Sequence, residues 1–183
     1  VTLPILDAAP GMPVHFVRSA STTELPAIDP TRAHTILQPP EPHRFRLRCD
    51  DDTAVDVGDS RFTVIELEHG TTYRIFATAV VDYVSRADAL DKAGALVDDL
   101  EAAGFEAAER IADATAQADE HEHVRISALT APFGSGSWRA EVWLRTAVRR
   151  GTRMAEILAM EDDACLVNLV IYDEALSIRN RPL

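Results

Sequence analysis

Between Arg44 and Cys49 the chain alternates: Phe45, Leu47 and Cys49 fall on one side and three arginines on the other. A period of two is the mark of a half-buried β-strand. The same reading predicts strands over Phe62–Glu68, Tyr73–Val84, His123–Ala131, Trp138–Val148, Thr152–Met160 and Cys165–Tyr172, with Val55 and Val57 in a shorter one. Turn chemistry separates them: the acidic run 49–53, Gly58-Asp59, His69-Gly70, the loop 132–137, Arg150-Gly151 and the acidic run 161–164. One stretch changes period. Leu90, Ala93, Leu96, Val97 and Leu100 recur at helical spacing, Ser85 and Asp88 form a capping-box-like start, and Gly104 is a natural stop. This predicts one main helix over 86–103. Residues 105–119 are alanine-rich and fit either a second helix or an irregular strand.

Successive strands joined by short turns imply antiparallel pairing. The expected fold class is α+β: an antiparallel sheet of about five to seven strands with the helix packed on one face. That body covers residues 43–183 as a single domain.

Residues 1–42 break the pattern. They hold eight of the ten prolines, and proline lacks the N–H that helices and central strands need. They also carry many large apolar residues, among them Leu3, Ile5, Leu6, Val14, Phe16, Val17, Ile36 and Leu37, so disorder is disfavoured. The expectation is an extended arm that lies on its own body or on a neighbour, with Phe16 and Val17 as contact residues.

Charge narrows the function classes. The 183 residues carry a formal net charge of -12, which opposes nonspecific binding to nucleic acid or anionic membrane. No stretch is apolar for long enough to span a membrane, and no signal-peptide pattern is visible, so the compartment is left open. The balance is uneven along the chain. Residues 86–123 hold 11 acidic and 3 basic side chains, whereas 138–153 hold 5 arginines and 1 glutamate. Arg139, Trp143 and Arg145 share the polar face of one predicted strand. The acidic helix neutralises them, or they contact a protein partner, for which Arg and Trp are preferred anchors, or, against the overall charge, they bind phosphate or single-stranded nucleic acid.

Candidate chemistry is sparse. Asp119, His121 and His123 would share one face of a strand and offer two imidazoles and a carboxylate to a metal such as zinc. The bland alternative is a solvated acidic loop. The triplet Asp50–Asp52 reads as a turn rather than a calcium loop, since it lacks EF-hand spacing. Cys49 and Cys165 are expected as buried thiols rather than a disulfide. No motif for nucleophilic serine, phosphate-loop or dinucleotide chemistry is present, and no cofactor is expected.

The leading expectation is therefore a non-enzymatic assembly or interaction protein, a subunit of a larger particle such as a phage virion or a secretion apparatus, whose arm contacts neighbours. The alternatives are a small acidic binding or immunity-type inhibitor module and a metal-dependent enzyme around His121 and His123.

Overall fold

The computed structural model describes residues 2–29, 31–110, 123–133, 136–146 and 164–179. Ten strands and three helices lie within them. In chain order these are β1 (Ile5–Ala8), α1 (Val14–Ala20), β2 (His34–Leu37), β3 (His43–Arg48), β4 (Ala54–Ser60), β5 (Thr63–Glu68) and β6 (Thr71–Thr78). Then follow α2 (Arg86–Ala102), β7 (Glu106–Arg110), β8 (His123–Ala131), β9 (Trp138–Thr146), β10 (Cys165–Asp173) and α3 (Glu174–Arg179).

The α+β class and the main helix are as expected, but the strands form two sheets instead of one. A seven-stranded antiparallel sheet has the order β2-β5-β6-β10-β9-β8-β7, and a three-stranded sheet has the order β1-β3-β4. The split occurs where the chain turns a corner from β4 into β5 across Arg61 and Phe62. Strands that switch sheets form such corners. Here Thr78 Oγ1 accepts the amides of Arg61 and Phe62 at 3.0 and 3.2 Å, fixing the bend. Behind it runs a buried polar chain. His43 Nε2 lies 2.8 Å from Thr63 Oγ1, which lies 3.1 Å from Ser60 Oγ. Every buried polar group here has a partner, so the joint avoids the cost of an orphaned dipole.

Residues 1–42 are not an extended arm. They supply β1, α1 and β2, and Leu6, Ala8, Val17 and Leu37 are fully buried in the same core as β9 and β10. β1 pairs in parallel with β3, Ile5 opposite Arg44 to Ala8 opposite Leu47, while β2 pairs antiparallel with β5. The prolines explain the difference: Pro4, Pro10, Pro13, Pro39, Pro40 and Pro42 all fall outside the strands and helices, and Pro13 is the N-cap of α1. Proline ends an element without forbidding its neighbours.

Three smaller departures are local. Gly58-Asp59 does not turn the chain: both lie in β4 at a bulge, where Phe45 faces Gly58 and Arg46 faces Asp56, leaving Val57 extra. Gly58 has φ +104°, a conformation favouring glycine. The strand predicted over 73–84 ends at Thr78. β9 pairs directly with β10 over its whole length, so no strand lies between them, and the predicted strand at 152–160 is outside the described residues. Residues 106–110 resolve as strand β7, with 111–119 outside the described residues.

α2 forms as expected. Ser85 Oγ accepts the amide of Asp88 at 3.1 Å, and Gly104, at φ +102°, closes the far end. Ala89, Ala93, Leu96, Val97 and Leu100 form its buried stripe and pack on β9 and β10. Small residues at 89 and 93 let the helix approach the sheet closely. Among the described residues no helix is long and apolar enough to cross a membrane.

Candidate interaction site

The short helix α1 is pinned to the start of β6. Gly11 N donates to Thr72 O at 2.6 Å, Thr72 N to Met12 O at 2.9 Å and Val14 N to Gly70 O at 2.8 Å. Arg18 donates to Leu25 O at 2.9 Å and to Pro26 O, tying down the chain that leaves the helix. Adjacent helical residues are about 100° apart, so they cannot share a face. Val17 is accordingly fully buried while Phe16 stays 55% exposed. Of the two contact residues expected here, Val17 is thus a core residue and only Phe16 is presented outward.

Phe16 overlooks a groove of about 460 Å³. Ala9, Pro10, Met12, Cys49 and Trp138 give it an apolar lining, and Arg48, Asp50 and Asp51 stand on its polar side. The acidic side is a built turn. Asp50 Oδ1 accepts the amides of Asp52 and Thr53 at 2.9 and 2.6 Å, and these bonds hold its carboxyl below the usual range. Asp51 and Asp52 point to solvent. The turn reading of this triplet therefore holds. Burial and the neighbouring Asp50 push the Cys49 thiol up to about 11, so it is protonated near neutral pH and a poor nucleophile. Cys49 and Cys165 are both buried and not joined in a disulfide, as expected.

The groove rests on a charge cluster that sequence reading did not find. Asp7, on β1, is fully buried. Arg46 Nε reaches its Oδ2 at 2.9 Å, and Arg48 reaches its Oδ1 and Oδ2 at 2.9 and 2.7 Å. The hydrogen bond to Asp7 raises the pKa of Arg48 above its ordinary value. One carboxylate thus clamps β1 to β3. The signal available was a lone Asp within an apolar run, Ile5 to Ala9, and a strand whose arginines had no assigned partner.

The second expected surface lies on β9. Its inner residues Trp138, Ala140, Val142 and Leu144 are buried on the side that α2 covers, so Arg139, Trp143 and Arg145 face away from the acidic helix. The helix therefore does not neutralise them. Glu141 on the same strand does most of that work. It accepts from Arg139 Nε at 2.9 Å and from Trp143 Nε1 at 3.2 Å, and Arg125 of β8 stands 3.6 Å away while stacking on Trp143 at 5.8 Å. Tyr172, opposite Arg139, has its phenol pushed up by burial and then by Glu141, so it is neutral at pH 7. Arg145 is exposed beyond this cluster, opposite His123 and Leu166. The structure brings Arg139 and Trp143 together, but as parts of a network in which both are bonded to Glu141.

Of the expected metal residues, Asp119 and His121 lie outside the described residues, and His123 is exposed at the start of β8. Among the described residues no three His, Cys, Asp or Glu side chains are grouped to hold a metal. The His43–Thr63–Ser60 chain has catalytic residue types, but all three are fully buried at the sheet corner, where a substrate has no access. Burial drives the pKa of His43 below its ordinary value, against a smaller opposing effect of its bond to Glu41 O, so the imidazole is neutral at pH 7. Comparison with protein-family models, with curated proteins and with solved structures finds no match to this chain.

Proposed function

We propose that this chain is a non-enzymatic interaction protein that assembles with a protein neighbour through the groove beside α1. The reading keeps the role expected from the sequence and moves its contact from an extended arm to a pre-formed surface. One observation carries it: Phe16 stands 55% exposed at a largely apolar groove whose lining also includes Asp50 and Asp51 of an acidic turn. Aromatic anchors next to apolar pockets are where binding energy concentrates at protein interfaces. The partner's contribution follows from complementarity. A bulky apolar side chain would fill the groove, and a neighbouring Arg or Lys would face Asp50 and Asp51. With a net charge of -12 on the chain, long-range attraction for such a segment would speed encounter and weaken as salt is added.

The test is a displayed-peptide selection on the purified protein. The enriched sequences should pair a bulky apolar residue with Arg or Lys. Their affinity should fall at least about tenfold, or about 1.4 kcal/mol, in Phe16→Ser. Enrichment without that pattern, or affinities that ignore Phe16→Ser, would end this reading.

A further inference from the structure

We propose that two copies of this chain pair through β2, edge to edge, about a twofold axis at Thr35. The argument is independent of the Phe16 groove. β2 is an edge of the seven-stranded sheet, and among the described residues its one strand partner is β5. In an antiparallel ladder, opposed residues alternate between pairs that exchange both backbone hydrogen bonds and pairs that exchange none. His69 N donates to Ala33 O at 2.7 Å, which sets the phase. Pairing His34 with Glu68 and Thr35 with Leu67 then makes Thr35 and Leu37 the residues bonded to β5. The N–H and C=O of His34 and Ile36 therefore point to the open edge.

Those groups are self-complementary. With a second β2 antiparallel and Thr35 opposite its own copy, His34 faces Ile36 of the other chain, and Ile36 faces its His34. These are the two residues with outward groups, so the pairing closes four hydrogen bonds and strands none. Ile36 is 64% exposed, the most exposed of the large apolar side chains among the described residues, and the pairing covers it. Local charge does not oppose the contact. β2 carries no Asp, Glu, Lys or Arg, and exposed Arg32 is paired with Asp29 at 3.5 Å. Edge strands in monomers are commonly protected by charge, proline or brevity. Here β2 is four residues long, with Pro39 and Pro40 just beyond it. They end the ladder without occupying it, and because both copies use the same edge about a twofold axis the association closes as a dimer instead of propagating.

The test is sedimentation of the full chain over a series from about 10 μM to about 1 mM, with amide hydrogen exchange at both ends of the range. The expected result is a monomer–dimer transition in which the His34 and Ile36 amides slow their exchange. Thr35, already bonded to β5, should change little. Ile36→Pro removes only an outward N–H and should shift the transition beyond the range while circular dichroism is retained. Ile36→Lys provides a second variant that keeps the N–H but adds repulsion, and should do the same. Phe16→Ser should dimerise like the parent chain, which separates this surface from the groove. A monomer throughout the range, a dimer that survives Ile36→Lys, or unchanged exchange at His34 and Ile36 would overturn the proposal.

Discussion

Removing the two arginines that hold Asp7 should harm the fold more than removing Asp7 itself. The structure sets the asymmetry. The Asp7 side chain is 0% exposed, whereas Arg46 and Arg48 remain 42% and 31% exposed. In Asp7→Ala the charge-assisted hydrogen bonds are lost, but both guanidinium groups can turn to water. Each such bond contributes about 1.5–3 kcal/mol before rehydration is counted, and the losses are not additive, so a net cost of about 2–3 kcal/mol is expected. In the double variant Arg46→Met/Arg48→Met the apolar stems are kept, so packing is largely preserved. What remains is a buried carboxylate without its cations, a condition that costs about 3–5 kcal/mol. Urea unfolding followed by circular dichroism gives both numbers, and each kcal/mol should move Tm by about 2–4 °C in a chain of this size. The decisive measurement is the triple variant. Adding Asp7→Ala to the double arginine variant removes the orphaned charge and should restore stability. If it lowers stability further, or if Asp7→Ala alone costs more than the arginine pair, the carboxylate is not the desolvated member and the reasoning fails.

The buried corner should make the fold sensitive to mild acid. The folded-state pKa of His43 lies below its ordinary value near 6.5, so below that pH the unfolded chain takes up a proton that the folded chain resists. Its contribution is intact above about pH 6.5 and falls as the pH drops toward the folded pKa, by up to about 1.4 kcal/mol per unit. His43→Gln should flatten stability between pH 6.5 and 5 relative to the parent chain, whatever its effect at pH 8; an unchanged slope would rule His43 out. The bulge in β4 gives a second contrast. Gly58→Ala forces a side chain into φ +104° beside Lys92 Nζ and should destabilise by about 1–3 kcal/mol. Gly94→Ala, on the open face of α2, should stabilise by about 0.5–1 kcal/mol, and thermal melts of the two variants check both signs.

What was legible in the sequence is what periodicity encodes. β3, β5, β8 and β9 alternate, β10 is a short apolar run after an acidic turn, and α2 has its cap, stripe and stop, so their places could be read to within a few residues. Pairing is a different matter. β10 is the last strand, yet it sits centrally between β6 and β9, joining two meanders that α2 connects across the core. No local pattern records that, because register is decided by which faces need covering. The N-terminal segment failed for another reason. Its elements are four, seven and four residues long, too short to show a period, and its prolines are conspicuous. The sites divide the same way. Phe16 was legible as a large apolar residue in a proline-rich segment, but whether it or Val17 faces outward depends on the helical phase of α1. Arg139 and Trp143 were legible as a face, while Glu141, between them in the sequence, was the residue that decides their chemistry. Asp7 was overlooked because its partners are 39 and 41 residues away. Such a charge becomes conspicuous only when the parallel pairing of β1 with β3 brings the arginines to it. This makes the clamp a test of topology as well as of electrostatics: if Asp7 and the two arginines prove energetically coupled, β1 lies beside β3, and the segment before residue 43 belongs to the core.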